Sequence, residues 1–307
     1  MTSPAARGAT HDIRVDAGRG VVVKRFRSWD RDEPAREWRA LRVLAEHAPG
    51  LAPRPLSASL NESPPVITMS LVPGEPLASA AVAPAQVHAL ARALDRLWRS
   101  VPPQRLDPSG AANPARFTGQ VRQQLAAGYE LGADVRVRRA AARASAWLAR
   151  GAVDREPAAR GQVVLGQGDP NLANFLWDGR EMRLVDFEDS GPSDRAFELA
   201  ILVEHVSVWS DAGLDAETLL GRFELTAAER ERLLQFRRLT ALYWLMRLRP
   251  GSMASRRNPP GTLRRQAGPP ARAVWVSQRT RGLKISGPGR SKERPGQKRF
   301  YQDLVES

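Results

Sequence analysis

A predicted β-hairpin flanked by polar side chains is the feature that most limits how this chain can fold. Two short apolar runs, at 175–177 and 182–185, lie on either side of Asp178-Gly179, a pair typical of tight turns between antiparallel strands. Residues that face one another across such a hairpin have numbers that add to about 360, so Asn174 is opposite Asp186 at its open end. The pattern therefore predicts that a carboxamide oxygen and a carboxylate lie close together there.

Asp169 lies on the loop that leads into the same end of the hairpin. Mg²⁺ takes oxygen ligands, keeps several waters and is held by one or two carboxylates plus substrate phosphates. Asn174 and Asp186 therefore form a candidate magnesium site, and Asp169 remains available to orient or deprotonate an attacking hydroxyl group. Each of these residues alone is also a common turn or cap residue, so the functional interpretation depends on their occurring together.

Lysine usage gives a second signal. Lys24 is the only lysine among residues 1–250, which contain 33 arginines. An ammonium group is compact and can approach a phosphate where the broad guanidinium fork cannot. This favours a phosphate contact for Lys24, although chance can also leave one lysine in such a sequence.

The first 72 residues predict a small β-rich lobe. Strands are indicated at 13–15 and 21–23, joined by a glycine-containing turn, with Lys24 at the end of the second strand. A further strand at 66–69 runs into an extended connector at 70–74, where we expect the lobe boundary.

A helix is predicted between these strands, with Asp32 as its cap, Pro34 in its first turn and an end near Pro49-Gly50. Glu37 lies on the apolar stripe of this helix. A buried carboxylate needs an opposite charge, for which Lys24 is the nearest candidate. Pairing with an arginine, or a position at the edge of the stripe in contact with solvent, is the alternative.

Residues 73–250 predict a mostly helical second lobe. An apolar stripe at 87–98 has the spacing of a helix that faces a core. Helical patterns continue at 116–150, 195–208 and 227–248, and a strand is indicated at 162–165. His205 occurs in a strongly apolar helix, where a packed or capping histidine is the expected role.

The net charge of +14 is concentrated near the end of the sequence. Residues 251–307 contain 13 Lys or Arg and 3 acids, whereas residues 1–250 contain 34 basic and 30 acidic residues. We therefore predict a basic, disordered tail at 251–307 and consider nucleic acid an unlikely partner. The abrupt use of lysine after residue 266 also suggests a shifted reading frame or an appended segment.

Several classes of protein are disfavoured by what the sequence lacks. It has no cysteine, which excludes disulfides and thiolate chemistry, and no apolar run of the length that a membrane span needs. We therefore expect no membrane association and a cytoplasmic location. The sequence contains no Walker phosphate loop, no Gly-x-Ser-x-Gly elbow and no HExxH zinc motif.

The segment 167–200, QGDPNLANFLWDGREMRLVDFEDSGPSDRAFELA, resembles the signature of the aminoglycoside phosphotransferase and choline kinase-like family. That signature is His-Gly-Asp, four residues, Asn, and then a hairpin that ends in Ile/Val-Asp. Upstream, VVVKRF, AREWRALRVL and ITMSLVPGEPL are similar to the family's nucleotide-lobe lysine, its partner helix and its inter-lobe hinge. The resemblance covers about residues 8–250.

This resemblance implies an α+β, protein-kinase-like fold with a nucleotide-binding lobe at 1–72 and a helical catalytic and acceptor-binding lobe at 73–250. It implies Mg²⁺-assisted transfer of the γ-phosphoryl group of ATP, with GTP as an alternative donor, to a hydroxyl group of a small molecule. By this resemblance, Asp169 is the catalytic base, and Asn174 and Asp186 are the magnesium ligands. Lys24 binds the phosphates with Glu37 as its partner. Ser70 and Leu71 belong to the hinge, and Asp194 caps a helix.

Two departures from the family pattern keep alternatives open. Gln167 replaces the usual histidine, a position expected to support the loop through hydrogen bonds, and only Gly8-Ala9-Thr10 could form a phosphate-covering loop. A kinase-like module that binds nucleotide with little or no turnover is therefore one alternative. A nucleic-acid-associated protein, using Trp275 and Tyr301 of the tail to stack on bases, is a less favoured one.

The sequence does not identify the phosphoryl acceptor or the oligomeric state. A polycationic acceptor would need an acidic pocket, and a group of acidic residues occurs in the second lobe, although such charges usually form a solvated face. These residues are Glu204, Asp211, Asp215 and Glu217.

Overall fold

The computed structural model describes residues 11–79, 81–151, 153, 163–210 and 213–268 of the 307-residue chain. All of them belong to the first of two units into which the chain divides, Met1–Trp275. The suggested phosphate-covering residues 8–10 and residues 269–307 of the predicted tail lie outside the described residues.

A four-stranded antiparallel sheet and one helix form the first lobe. The elements in chain order are β1 (His11–Asp16), β2 (Val21–Phe26), α1 (Glu33–His47), β3 (Pro55–Ser59) and β4 (Val66–Ser70). The strands pair in the order β1-β2-β4-β3. Lys24 lies within β2, opposite Ile13 of β1 and Ile67 of β4, so these three side chains share one face of the sheet. The predicted strands and helix are therefore confirmed.

Helix α1 packs on the sheet through Leu41 and Leu44, which are fully buried. Pro34 lies in its first turn, as predicted. Asp32 occupies the cap position but its side chain makes no capping hydrogen bond, because its φ of 65° is left-handed and a capping side chain needs extended backbone. The Asp32 carboxylate instead accepts a hydrogen bond from Arg39 at 2.9 Å.

The second lobe is mostly helical among the described residues. Its helices are α2 (Pro84–Ser100), α3 (Pro114–Ala126), α4 (Val135–Ala149), α5 (Arg195–Val203), α6 (Val206–Ser210), α7 (Ala216–Leu220), α8 (Ala227–Arg247), α9 (Met253–Arg257) and α10 (Thr262–Gln266). The predicted stripe of α2 is buried, with Leu90 and Leu97 fully so. Asp194 accepts a hydrogen bond from the Phe197 N–H at 2.9 Å and caps α5 as predicted. No helix in the described ranges is long and apolar enough to cross a membrane.

In the described part of this lobe, five short strands accompany these helices, in a three-stranded and a two-stranded sheet. They are β5 (Glu75–Pro76), β6 (Val163–Gly166), β7 (Phe175–Trp177), β8 (Met182–Leu184) and β9 (Gly191–Asp194). Phe175 faces Leu184 and Trp177 faces Met182, so the predicted hairpin is confirmed. The Asp178 carboxylate accepts hydrogen bonds from the N–H groups of Arg180 and Glu181 and thereby fixes the turn.

Residues 251–268, predicted as the start of a disordered tail, are instead folded. They contain α9 and α10, and Leu263 and Ala267 pack against a cluster that includes Val137 and Leu245. The prediction of disorder came from their basic, glycine- and proline-containing sequence, which has few apolar side chains to indicate packing.

Candidate active site

The ammonium group of Lys24 lies among three carboxylates, an arrangement we call the carboxylate cage: Glu37, Asp186 and Glu188. Lys24 Nζ is 2.6 Å from Glu37 Oε2, 2.6 Å from Asp186 Oδ1 and 2.9 Å from Glu188 Oε2. Burial acts to lower the pKa of Lys24, but the three negative charges together raise that pKa above its ordinary value. The amine is therefore held in its charged form. The ion pair expected between Lys24 and Glu37 is present.

Asp186, two residues after the end of β8, has an unusual backbone conformation. Its φ is 64°, in the left-handed region that residues with a side chain rarely adopt. One residue earlier, the Val185 N–H donates to the Asn174 carbonyl at 3.0 Å, which brings the two ends of the hairpin together. Strained backbone of this kind is found disproportionately at functional sites. The backbone at Asn174 and the residue before Asp186 are therefore joined at one end of the hairpin, as the pairing predicts, and a shared role of the two side chains stays a prediction.

Asn174 contacts the predicted base directly. Its Nδ2 donates to the Asp169 carbonyl oxygen at 3.1 Å and to Asp169 Oδ2 at 3.2 Å. With the amide nitrogen turned toward Asp169, the amide oxygen Oδ1 is the atom left to face a cation.

Asp169 has the chemical character of a proton acceptor near neutral pH. Burial, reinforced by the charges of Asp186 and Asp189, raises its pKa to about 6, against the opposing hydrogen bonds from the Asn171 N–H and Asn174. A carboxylate whose pKa is raised toward neutral pH is better suited to accept a proton there than an aspartate with an ordinary pKa.

Gln167 supports the loop that carries Asp169. Its Nε2 donates to the Val185 carbonyl at 2.6 Å, and its backbone N–H donates to Glu198 Oε2 at 3.1 Å. The Gln167 side chain thus supports the loop through a hydrogen bond, as expected.

Glu198 of α5 lies beneath the same loop. It is buried, and its Oε1 accepts a hydrogen bond from Ser193 Oγ at 2.6 Å. Burial raises the pKa of Glu198 to about 7. A side chain at Gly166 would overlap Oε1 of Glu198, so the glycine makes room for this carboxyl group.

The predicted hinge residues lie where β4 ends. The N–H of Ser70 donates to the Arg54 carbonyl at 2.9 Å, and the N–H of Leu71 donates to the Gly20 carbonyl at 2.8 Å. The Leu71 N–H is therefore already used within the protein. Leu71 as a residue is 37% exposed, so its side chain can contact a ligand.

The side chains near Lys24 that could bind a cation are mainly oxygen donors. Among the described residues, His11, Asp186 and Glu188 are a group whose ligand atoms lie within 4.8 Å of one another. The two carboxylates of this group match the hard oxygen ligands of Mg²⁺.

Sequence reasoning missed Glu188 and Glu198. Glu188 follows Asp186 by two residues in VDFED, and this repeated acid was the available signal. For Glu198 the signal was a single acid within the apolar run FELAIL.

Three of the four acidic residues suggested for a polycationic acceptor have structural partners. Glu204 is buried and binds Arg237 at 2.7 Å, and the exposed Glu217 binds the same arginine at 3.2 Å. Asp215 caps α7, and Asp211 lies outside the described residues. An acidic acceptor pocket built from these side chains is therefore not supported.

Comparison with known proteins identifies related sequences and folds. The model of the phosphotransferase enzyme family matches residues 3–235. A search of curated proteins gave no match.

Several crystal structures have the same fold. One is a choline/ethanolamine kinase family protein from Mesorhizobium loti, with 19% identity and a TM-score of 0.56, covering 89% of this chain and 87% of the other. A macrolide 2'-phosphotransferase from Brachybacterium faecium has 20% identity and a TM-score of 0.52, with 78% and 82% covered. A spectinomycin phosphotransferase bound to AMP has 10% identity and a TM-score of 0.60, with 84% and 88% covered.

Proposed function

Because the chain belongs to the phosphotransferase enzyme family, we propose that it transfers the γ-phosphoryl group of ATP to a hydroxyl group of a small molecule. The observation that carries this proposal is the convergence of four chemically suited groups at one corner. Lys24 contacts Asp186 at 2.6 Å, Asp186 follows the strand that pairs with the Asn174 end of the hairpin, and Asn174 contacts Asp169 at 3.2 Å.

The nucleotide base is assigned to the face of the first sheet that carries Lys24. Ile13 and Val15 of β1 lie on this face, and their side chains are 52% and 54% exposed. Exposed apolar side chains next to a charged group suit a ligand with an aromatic base and a phosphate. Leu71, at the end of β4, would contribute its half-exposed side chain, and Ser70 would form part of the same hinge. GTP is the alternative donor.

Lys24 would bind the phosphates, with Glu37 fixing its side chain. The short Lys24–Glu37 contact, 2.6 Å with both side chains buried, supports this role because it restrains an otherwise flexible chain. The likeness to a spectinomycin phosphotransferase crystallised with AMP also supports a nucleotide here.

Mg²⁺ is the cofactor that the donor set fits. Asn174 Oδ1 and Asp186 would hold the ion, with Glu188 beside them. A bound magnesium ion would neutralise phosphate charge as the phosphoryl group moves.

Asp169 is proposed as the catalytic base. The acceptor hydroxyl would donate a hydrogen bond to its carboxylate, which orients the attacking oxygen and takes the proton as the new O–P bond forms and the bond to the departing ADP breaks. The hydrogen bond from Asn174 Nδ2 keeps Asp169 in a fixed direction.

The acceptor is proposed to be an aminoglycoside, choline or another amino alcohol. This class of acceptor comes from the family relationship. The structural neighbours are named for different acceptors, so a direct assay must identify the acceptor of this protein.

The proposal is tested by measuring ATP consumption with a panel of amino sugars, choline, amino alcohols and other small hydroxyl compounds, with Mg²⁺ and with EDTA. With the best acceptor, D169A is expected to lower kcat by a factor on the order of 10²–10⁴, since it removes the proton acceptor. T240V is the matched control, because the buried Thr240 hydroxyl has no hydrogen-bond partner among the described residues.

An unchanged kcat in D169A would reject Asp169 as the base. Binding of MgATP without turnover across the whole panel would instead favour the nucleotide-binding module.

A further inference from the structure

The loop that carries Asp169 is attached to α6 by a hydrogen bond that the proposed chemistry does not use. The backbone N–H of Leu172 donates to Ser207 Oγ at 3.1 Å. Leu172 begins the single turn of 3-10 helix, Leu172–Asn174, that ends on the proposed magnesium ligand. Leu172 and Ser207 are both buried, so water does not compete effectively for this hydrogen bond.

The direction of the next hydrogen bonds is fixed by chemistry. The backbone N–H of Ser207 can only donate, and it lies 3.2 Å from His205 Nδ1. Nδ1 is therefore an acceptor, and the ring hydrogen of the neutral imidazole is on Nε2. Ser207 Oγ is 2.7 Å from the same Nδ1, so the hydroxyl donates its hydrogen to the ring and keeps its lone pairs for Leu172.

His205 is held in the orientation that this chain of bonds requires. Its ring is buried and packs edge-on against Trp244 of α8, with ring centroids 4.9 Å apart. Burial lowers the pKa of His205 to about 3, so the ring stays neutral at physiological pH and Nδ1 remains free to accept. His205 lies between α5 and α6 and not within one helix as predicted, but the expectation of a packed histidine is met, and Nδ1 connects it to the loop through Ser207.

We propose that Ser207 and His205 are positioning residues that hold Asn174, through Leu172, in the geometry needed for magnesium binding. The chain of contacts runs from His205 Nδ1 to Ser207 Oγ and on to the Leu172 N–H. Asn174 in turn bonds Asp169, so the same support reaches the proposed base. The predicted effect on turnover rests on the proposed phosphotransferase function, whereas the effect on the loop does not.

The test compares S207A with T240V and H205L with H205N in the full chain. S207A and H205L remove the hydroxyl or the ring acceptor. H205N supplies an amide oxygen close to the position of Nδ1 and is expected to restore the support. T240V removes a buried hydroxyl that makes no hydrogen bond among the described residues.

Two readouts are expected to change together. In S207A and H205L, hydrogen exchange measured by mass spectrometry is faster in the peptide that covers residues 168–176. The Mg²⁺ concentration that gives half-maximal ATP consumption rises about 10-fold, the scale seen when an outer partner of a metal ligand is lost. T240V and H205N stay near wild type in both readouts.

The outcomes separate the two proposals. If the wild-type chain consumes no ATP with any acceptor, the proposed function fails and hydrogen exchange alone decides the role of Ser207. The positioning role is overturned if exchange in 168–176 is unchanged in S207A, or if T240V alters both readouts as much. If S207A does not fold, equal behaviour of H205L and H205N overturns it, and rescue by H205N supports it.

Discussion

At the scale of single residues, the buried charges of the carboxylate cage depend on one another. Lys24 and Glu37 are each 2% exposed, so neither charge can be compensated by water if its partner is lost. Removing one member of a buried ion pair costs more than removing both, because the remaining charge stays buried and unpaired.

K24M is therefore expected to lower the free energy of unfolding at pH 7 by about 3–5 kcal/mol. The double variant K24M/E37L is expected to recover part of this loss, since no unpaired Glu37 carboxylate remains. Guanidinium denaturation of the two variants and the wild type measures both quantities. A double variant less stable than K24M would show that Glu37 does not depend on Lys24.

The sequence predicted part of this arrangement. The position of Glu37 on an apolar stripe made an ion pair with Lys24 one of two expectations, the other being an arginine partner or contact with solvent, and the structure has the pair with Lys24. The contact of Glu188 with Lys24 was not predictable from the repeated acid in VDFED alone, because it lies beyond Asp186, whose backbone is left-handed. Periodicity describes regular strands and helices and carries no information about such a turn.

At the scale of elements, β6 and α5 can approach each other closely because Gly166 has no side chain. A Cβ atom at Gly166 would lie 2.6 Å from Ser193 Cβ and 2.8 Å from Glu198 Cδ. The length of the Glu198 side chain is therefore compatible with this strand only when glycine is at position 166.

G166A is expected to lower the free energy of unfolding by about 1–3 kcal/mol through overpacking. G166A/E198D is expected to restore part of that loss, since the shorter acid withdraws from the added methyl group. Denaturant unfolding gives both values. G119A in α3 is the matched control, because a Cβ there meets nothing within 4 Å, and it should leave stability unchanged or slightly raised.

Elements with strong periodicity were predicted best. The hairpin strands and the stripe of α2 agree with the structure because turn residues and apolar spacing specify them locally. Helices α9 and α10 were missed, since each has only five residues, and α10 is held by packing against α4 and α8 instead of by its own pattern. The Glu198 contact with Gln167 joins residues far apart in the sequence and required the fold.

At the scale of the whole molecule, Glu198 makes global stability depend on pH. Its pKa is raised from 4.5 in the unfolded chain to about 7 in the folded one, so the folded state binds the proton more tightly. The stabilising contribution is complete below pH 4.5 and is lost as pH rises to about 7. The full change is about 3 kcal/mol.

E198Q is expected to remove this contribution, since a glutamine can accept from the Gln167 N–H and has no charge to bury. The difference in free energy of unfolding between wild type and E198Q should therefore change by about 3 kcal/mol between pH 4.5 and 7, and then level off. Denaturation at several pH values measures the difference and cancels the titration of the other groups. A constant difference across this range would contradict the raised pKa.

Acylating reagents attack a lysine side chain only as a free amine, and the carboxylate cage keeps Lys24 protonated and covered. No other lysine side chain occurs before residue 251. Lys24 would therefore react only if a bound nucleotide carrying an acyl phosphate displaced the carboxylates from the amine and let it lose its proton; the acyl group would then move to the amine as the nucleotide leaves, and the modified peptide would be identified by its mass. Covalent labelling of Lys24 would thus report occupancy of the nucleotide site without knowledge of the acceptor.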